Sequence, residues 1–204
     1  MCIMLEYQVW KFIGTSCEIN SYEFSVNITQ KGKYKMAELW DILDENGNKI
    51  GRLHERGKLM QKGEYHLVVN VWIRNDKGEF LISRRSKDKG HIWHTTGGAA
   101  VAGDDSLTTA LKEAKEEIGV TLDQKKGQFF KRMSVPHEKG GGRAFVDIWL
   151  FHQEVDMNTV TLQVEEICDA MWASEAEIKQ MADTGTFVSL LEWYPYYEEL
   201  FCMQ

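Results

Sequence analysis

The segment Tyr65–Arg74 (YHLVVNVWIR) constrains the fold of this 204-residue chain more than any other. It is apolar on both alternating faces. A strand with no polar face belongs in the middle of a sheet that is covered on both sides. The neighbouring text agrees. Leu39–Leu43 reads as a strand, and residues 49–53 return as a second one after Asp44-Glu45-Asn46-Gly47, because Asn-Gly tolerates positive φ. A polar loop with Gly57 and Gly63 then leads to the central strand. Asn75-Asp76-Lys77-Gly78 turns the chain, and residues 79–85 (EFLISRR) pair back as a hairpin. Residues 129–135, 145–151 and 171–173 are further strands, the first two joined by a glycine-rich loop at 139–142. Ser174 caps a short helix through Met181, and residues 190–201 form a helical or mixed segment rich in aromatics. Strands on either side of one long helix, Ser106–Ile118, indicate an α/β/α sandwich with a mixed sheet between helices.

That long helix also carries the chemistry. Asp104, Asp105 and Ser106 are suitable N-caps, and Gly119 stands where a left-handed C-terminal cap is expected. Leu107, Ala110, Leu111, Ala114 and Ile118 form one stripe toward the core. Glu113, Glu116 and Glu117 form an adjacent stripe, because residues three and four apart are neighbours on a helix. Each like-charge pair there costs roughly 0.2–0.5 kcal/mol on an exposed surface. Solvent with Lys112 or Lys115 relieves that repulsion, or a divalent cation does. Hard cations such as Mg2+ take carboxylate oxygens, waters and substrate phosphates. Upstream, Gly97-Gly98 can bring backbone close to a ligand, and Gly103-Asp104 turn into the helix.

From Gly98 to Val120 the sequence resembles a Nudix box: Gly98, Asp104, Lys112, Glu113, Ala114, Glu116, Glu117, Gly119 and Val120 stand at the spacing of that pattern. Two positions depart from it, Asp104 in place of Glu and Lys112 in place of Arg. The similarity extends over about residues 39–200. The resemblance implies a Nudix-like α/β/α sandwich and a hydrolase that attacks a diphosphate linkage in a nucleoside-diphosphate-type or related small molecule. It implies Mg2+, with Mn2+ as the alternative, held by Glu113, Glu116, Glu117 and the Gly98 carbonyl. Glu113 is a ligand or orients the catalytic water. Glu166 is the favoured acidic residue from outside the box, ahead of Glu165. Arg84, Arg85 and Arg143 are the candidates for substrate phosphates. Lys112 offers a point charge where Arg offers a bidentate fork, and Asp104 is one methylene shorter than Glu.

Within that family the chain is similar to the subgroup that includes isopentenyl-diphosphate isomerase, through its hairpin at 41–52 and the entry Glu64-Tyr65-His66. The isomerases carry a catalytic cysteine where this chain has Thr96-Gly97-Gly98, and no cysteine lies between Cys17 and Cys168. His66, His91 and His94 are compatible with the isomerase's extra metal site or with ordinary structural roles. An isomerase-like enzyme and a catalytically weak nucleotide-binding sensor are therefore the alternatives to a hydrolase.

Bulk composition limits the partners. A net charge of −7 leaves no basic footprint for duplex nucleic acid. An anionic substrate then needs a metal or a few placed cations. No apolar run approaches the roughly 20 residues of a membrane helix, and no signal peptide is evident. Cys2, Cys17, Cys168 and Cys202 have irregular spacing, which suits reduced thiols in the cytoplasm. Trp193, Tyr194, Tyr196 and Tyr197 suit base stacking, core packing or a homodimer interface. Residues 1–35 read as an N-terminal arm or extension with short strands at 9–13 and 22–28, ahead of a domain over residues 36–204 for which Met36 is a natural start.

Overall fold

Tyr65–Arg74 lies inside the sheet, as its two apolar faces require. The computed structural model describes the backbone of residues 3–13, 16–28 and 34–35, and residues 37–136 and 141–203 in full. The strands are β1 (Ile3–Ile13), β2 (Ser16–Ile28), β3 (Tyr34–Lys35), β4 (Leu39–Leu43), β5 (Lys49–Glu55), β6 (Tyr65–Arg74), β7 (Phe80–Arg85), β8 (Trp93–His94), β9 (Gly127–Pro136), β10 (Arg143–His152) and β11 (Ile167–Ala173). The helices are α1 (Ser106–Ile118), α2 (Glu175–Asp183), α3 (Leu190–Trp193) and α4 (Tyr197–Phe201). The main sheet runs β11-β7-β6-β10-β9, with the β4–β5 hairpin on β6 and β8 on β7. It is mixed: β6 and β10 are parallel, from Tyr65↔Arg143 to Arg74↔His152, and their other neighbours are antiparallel. Among the described residues, no helix is long and apolar enough to cross a membrane.

Two hydrophobic cores sit on the two faces of this sheet. On one face Val69, Val71, Ile73 and Leu81 pack with Ala110, Ala114 and Ile118 of α1. On the other, Trp72, Phe80, Ile82 and Leu150 pack with Ile178 of α2, Leu190 of α3 and Leu200 and Phe201 of α4. Alternation along β6 and β7 thus feeds both layers, as the doubly apolar strand demands. Burying a side chain such as Ile118 stabilises the fold by about 1.5–3 kcal/mol. The alanines at 110 and 114 let α1 lie close to the strands.

Several strand limits differ from the apolar pattern. β11 begins at Ile167, not 171, because Ile167 and Asp169 already pair with Arg85 and Arg84 of β7. The aromatic segment at 190–201 breaks into two short helices at Tyr194-Pro195-Tyr196, since proline cannot continue the first helix. Of its aromatics, Tyr194 and Tyr196 are buried in the core and Trp193 is exposed. In the arm, β1 and β2 are longer than the two segments read from alternation and form their own antiparallel sheet with β3. Met36 and residues 137–140 of the glycine-rich loop lie outside the described residues.

The N-cap of α1 is Asp105, whose carboxylate accepts from Thr108 N at 2.8 Å. Gly119 ends the helix at φ +72, and a Cβ there would lie 3.0 Å from both Thr161 N and Thr161 O. Gly119→Ala therefore adds a clash to left-handed strain of about 1–3 kcal/mol. Gly51, at φ +75 with open space around it, carries the strain alone. Melting curves should place Gly119→Ala well below Gly51→Ala; equal losses would mean that Thr161 yields freely.

Candidate active site

Midway along β6 the sheet splits. β4 pairs with β6 only at Leu43↔Tyr65 and β7 only at Arg74↔Phe80. The gap is filled by residues 96–102. Val71 N donates to Thr96 O, Val69 N to Gly98 O, Ala100 N to Leu67 O and Ala102 N to Leu39 O, at 2.7–2.9 Å. A Cβ at Gly97 would run into the Val69 backbone, within 3.2 Å of its carbonyl carbon. A Cβ at Gly98 would stand 2.6 Å from Cδ and 2.7 Å from Oε2 of Glu113. The two glycines thus have separate tasks. Gly97 lets the segment close onto β6, and Gly98 makes room for a carboxylate. The Gly98 carbonyl is engaged by Val69 N, with its second lone pair left over.

Glu113 and Glu117, one turn apart on α1, reach this segment. Gly97 N donates to Glu117 Oε2 at 3.3 Å. Burial raises the Glu117 pKa to about 8; Glu113 and Glu166 push the same way, while the Gly97 N–H and Arg85 oppose. Burial likewise raises Glu113 to about 7, aided by Glu116 and Glu38 and opposed by Arg56. Glu116 is exposed. Among the described residues, no three His, Cys, Asp or Glu side chains close into a ready-made metal cage. What α1 offers is an open set of hard oxygen donors. That donor set fits Mg2+, which keeps several waters and takes one or two carboxylates beside substrate phosphates.

The remaining sequence candidates separate. Glu166 acts electrostatically on both Glu113 and Glu117 and pairs with Lys89 at 3.1 Å. Its carbonyl accepts from Ser86 N, which ties the end of β7 to the start of β11. Arg85 bears on Glu117 and on His94. Arg84 faces the other way, its guanidinium 5.7 Å from the Trp93 ring centroid and its Nε donating to His91 O. Arg143 donates to Ser134 Oγ and Ser134 O on β9. The two departures from the box pattern meet in one ion pair, Lys112 Nζ to Asp104 Oδ2 at 2.7 Å. Lys115 reaches only Gly119 O.

Sequence reasoning missed a polar layer on the face of the sheet opposite α1, where Trp72 lies. Thr95 Oγ1 donates to Asn70 Oδ1 and contacts Tyr194 OH, and Asn70 and Trp72 both donate to Tyr196 OH. Ser83 and His94 are cross-strand partners whose Oγ and Nε2 are buried with no hydrogen-bond partner. Burial, reinforced by Arg85, lowers the His94 pKa to about 4 and keeps the imidazole neutral. Glu38 and Arg56, which flank the β4–β5 hairpin, were also missed. No periodic pattern marks either one.

A family model for the NUDIX domain matches residues 64–194. An uncharacterised Nudix hydrolase of Listeria monocytogenes is 35% identical over 155 residues, covering 74% of this chain and 88% of that protein. An isopentenyl-diphosphate Delta-isomerase of Streptomyces avermitilis is 28% identical over 89 residues, 42% of this chain and 45% of that protein. A crystal structure of a Deinococcus radiodurans protein superposes with a TM-score of 0.56 at 19% identity, over 76% of this chain and 96% of that one. At that identity the likeness concerns the fold.

Two outcomes follow from this geometry. Gly97→Ala forces backbone apart and should destabilise the protein by about 1–3 kcal/mol, the scale of overpacking. Gly98→Ala meets only the end of a side chain. It should melt near wild type yet lose about a hundredfold in turnover, the scale of a misplaced reacting group. Equal melting of the two variants would refute this division. The second outcome concerns pH. Both carboxyl pKa values lie above the ordinary 4.5, so the folded metal-free protein retains protons that the unfolded chain has released. The stability these groups provide is complete below 4.5 and is lost as pH rises through about 7 and about 8. In EDTA the melting temperature should fall across this window, and less steeply in Glu117→Gln. An identical slope in that variant would show that Glu117 does not titrate there.

Proposed function

The chain belongs to the NUDIX domain family and is a Nudix-type hydrolase, and from that premise we propose that it cleaves a diphosphate linkage in a nucleoside-diphosphate-type or related small molecule. The observation that carries this reading is the approach of Glu113 and Glu117 to Gly97-Gly98, with both carboxyls holding protons more tightly than usual. Half-buried, mutually repelling carboxylates beside the backbone slot are poised for a cation and for proton transfer.

In this reading Glu113 and Glu117, with Glu116 at the exposed edge, hold the divalent ion. Bound there, the ion would neutralise phosphoryl oxygens and lower the pKa of a coordinated water. Glu113 would either ligate the ion directly or orient the attacking water and accept its proton as general base. Glu166 adds an acidic group from outside the helix. Arg85 is the sequence candidate best placed for a substrate phosphate; Arg84 and Arg143 are committed to Trp93 and Ser134. Positioning and electrostatic stabilisation supply most of the rate enhancement in such transfers. Hydrolysis is favoured over isomerisation because Thr96-Gly97-Gly98 offers no thiol acid, and Gly97 has no room for a side chain.

The test is phosphate release from a panel of nucleoside diphosphate derivatives, dinucleotides and prenyl diphosphates. EDTA should abolish turnover, and Mg2+ should restore it. Glu113→Gln and Glu117→Gln should each lower turnover at least about a hundredfold, the scale of losing one placed electrostatic stabiliser. Lys115→Gln, on the outer face, should turn over like wild type. Full activity in EDTA would overturn the metal-dependent reading, and wild-type rates in both glutamate variants would overturn the site.

A further inference from the structure

The site has two shoulders, and sequence motifs account for only one. On the Glu117 side stand Arg85, Lys89 and Glu166. On the Glu113 side stand Glu38 and Arg56, brought there by the split in the sheet. Because residues 98–102 run between β6 and β4, the start of β4 lies beside the segment that faces α1, with Ala102 N on Leu39 O. Leu39 pairs with Glu55, so the residues just beyond that pair, Glu38 and Arg56, project past the hairpin end. Arg56 N donates to Glu38 O at 2.9 Å, and Arg56 Nη1 to Glu38 Oε2 at 2.7 Å. Glu38 Oε1 accepts from Trp40 Nε1 at 2.8 Å. The carboxylate is therefore held from two sides, and it holds the guanidinium in turn. The charges of both residues bear on the Glu113 carboxyl.

We propose that Arg56 is a phosphate-binding side chain of this site, pre-positioned by Glu38, and that it receives the phosphoryl group on the Glu113 side of the bound diphosphate. The inference rests on the diphosphate reading above and adds a residue to it. Three points support it. The net charge of −7 and the glutamates on α1 repel an anion, so a side-chain cation at the mouth, beside the metal, favours phosphate binding. The Arg56 side chain is 60% exposed and makes one side-chain ion pair, which leaves most of its donors open. An exposed pair of this kind is weak, whereas guanidinium and phosphate match in a bidentate fork. A phosphoryl group can therefore share or displace Glu38 without disturbing the hairpin, whose backbone bonds stay in place.

The experiment compares the full-length wild type with Arg56→Ala, Arg56→Lys and Glu38→Gln. It measures kcat and KM for the best diphosphate substrate, calorimetric binding of inorganic pyrophosphate with Mg2+, binding of Mg2+ alone, and melting in EDTA. Arg56→Ala should raise KM and weaken pyrophosphate binding roughly 10- to 100-fold, the scale of losing a charge-assisted hydrogen bond. Its kcat, Mg2+ affinity and melting temperature should stay close to wild type. Arg56→Lys should recover part of the loss. Glu38→Gln keeps a side-chain oxygen that can orient Arg56 and removes the competing charge, so pyrophosphate binding should be no weaker than in wild type. Unchanged KM and pyrophosphate affinity in Arg56→Ala would overturn the proposal. So would parallel losses of affinity and melting temperature in Arg56→Ala and Glu38→Gln, which mark a structural brace. A wild type that binds pyrophosphate through Arg56 but hydrolyses nothing would sink the hydrolase reading and leave this subsite standing. Active wild type with indifferent Arg56→Ala would do the reverse.

Discussion

The close approach at Gly97 and Gly98 is the constraint on which the site depends. On one side the chain lies against the Val69 carbonyl; on the other it leaves room for Glu113. A side chain at Gly97 cannot be absorbed, because its neighbour is sheet backbone; one at Gly98 is absorbed only by turning the Glu113 carboxylate aside. The split between β4 and β7 supplies the slot, and the ladder from Thr96 to Ala102 locks the segment into it. α1 is held at the matching height by Ala110 and Ala114, whose small side chains set how near the glutamates come. The high proton affinities of Glu113 and Glu117 are a consequence of that closeness. Stability is given up in the metal-free state at neutral pH, as expected where carboxylates are gathered for chemistry rather than for the fold.

Much of this was legible in the residues. The strand limits of β6 and the full extent of α1, with its glycine cap, follow from hydrophobic period and capping chemistry. The glutamate stripe follows from helix geometry. What could not be read is contact across long sequence separations. Glu38 and Arg56 are ordinary surface residues until the split sheet carries them toward Glu113. Asn70 and Thr95 are isolated polar residues in apolar text until Tyr194 and Tyr196 return to meet them. One distinction was half available: the sequence separates two faces, and packing says which is which. Arg84 and Arg85 are consecutive in a strand, so only one can face α1; Leu81 lies on the α1 side, which assigns that side to Arg85.

The departures at 104 and 112 also make sense together. A shorter acid and an amine on a flexible stem meet over eight residues as one ion pair. Lys112 is directed at Asp104 and not at Glu116, so the side chains that remain near the glutamates are those set by the backbone slot. Orientation of Glu113 and Glu117 rests on Gly97 and Gly98 more than on a neighbouring cation.

The hydrogen bonds from Asn70 and Trp72 to Tyr196 span 126 and 124 residues. Tyr196, Leu200 and Phe201 cover the same face as Trp72, Phe80 and Ile82. During synthesis that face of the central strands stays open to water, with Trp72 and Phe80 uncovered, until residues near 200 have been made. The ribosome therefore releases a half-clad sheet for most of the chain's elongation. Nascent chains stalled before Tyr194 would carry a finished α1 layer and a bare second face, a substrate for chaperones rather than a smaller working enzyme.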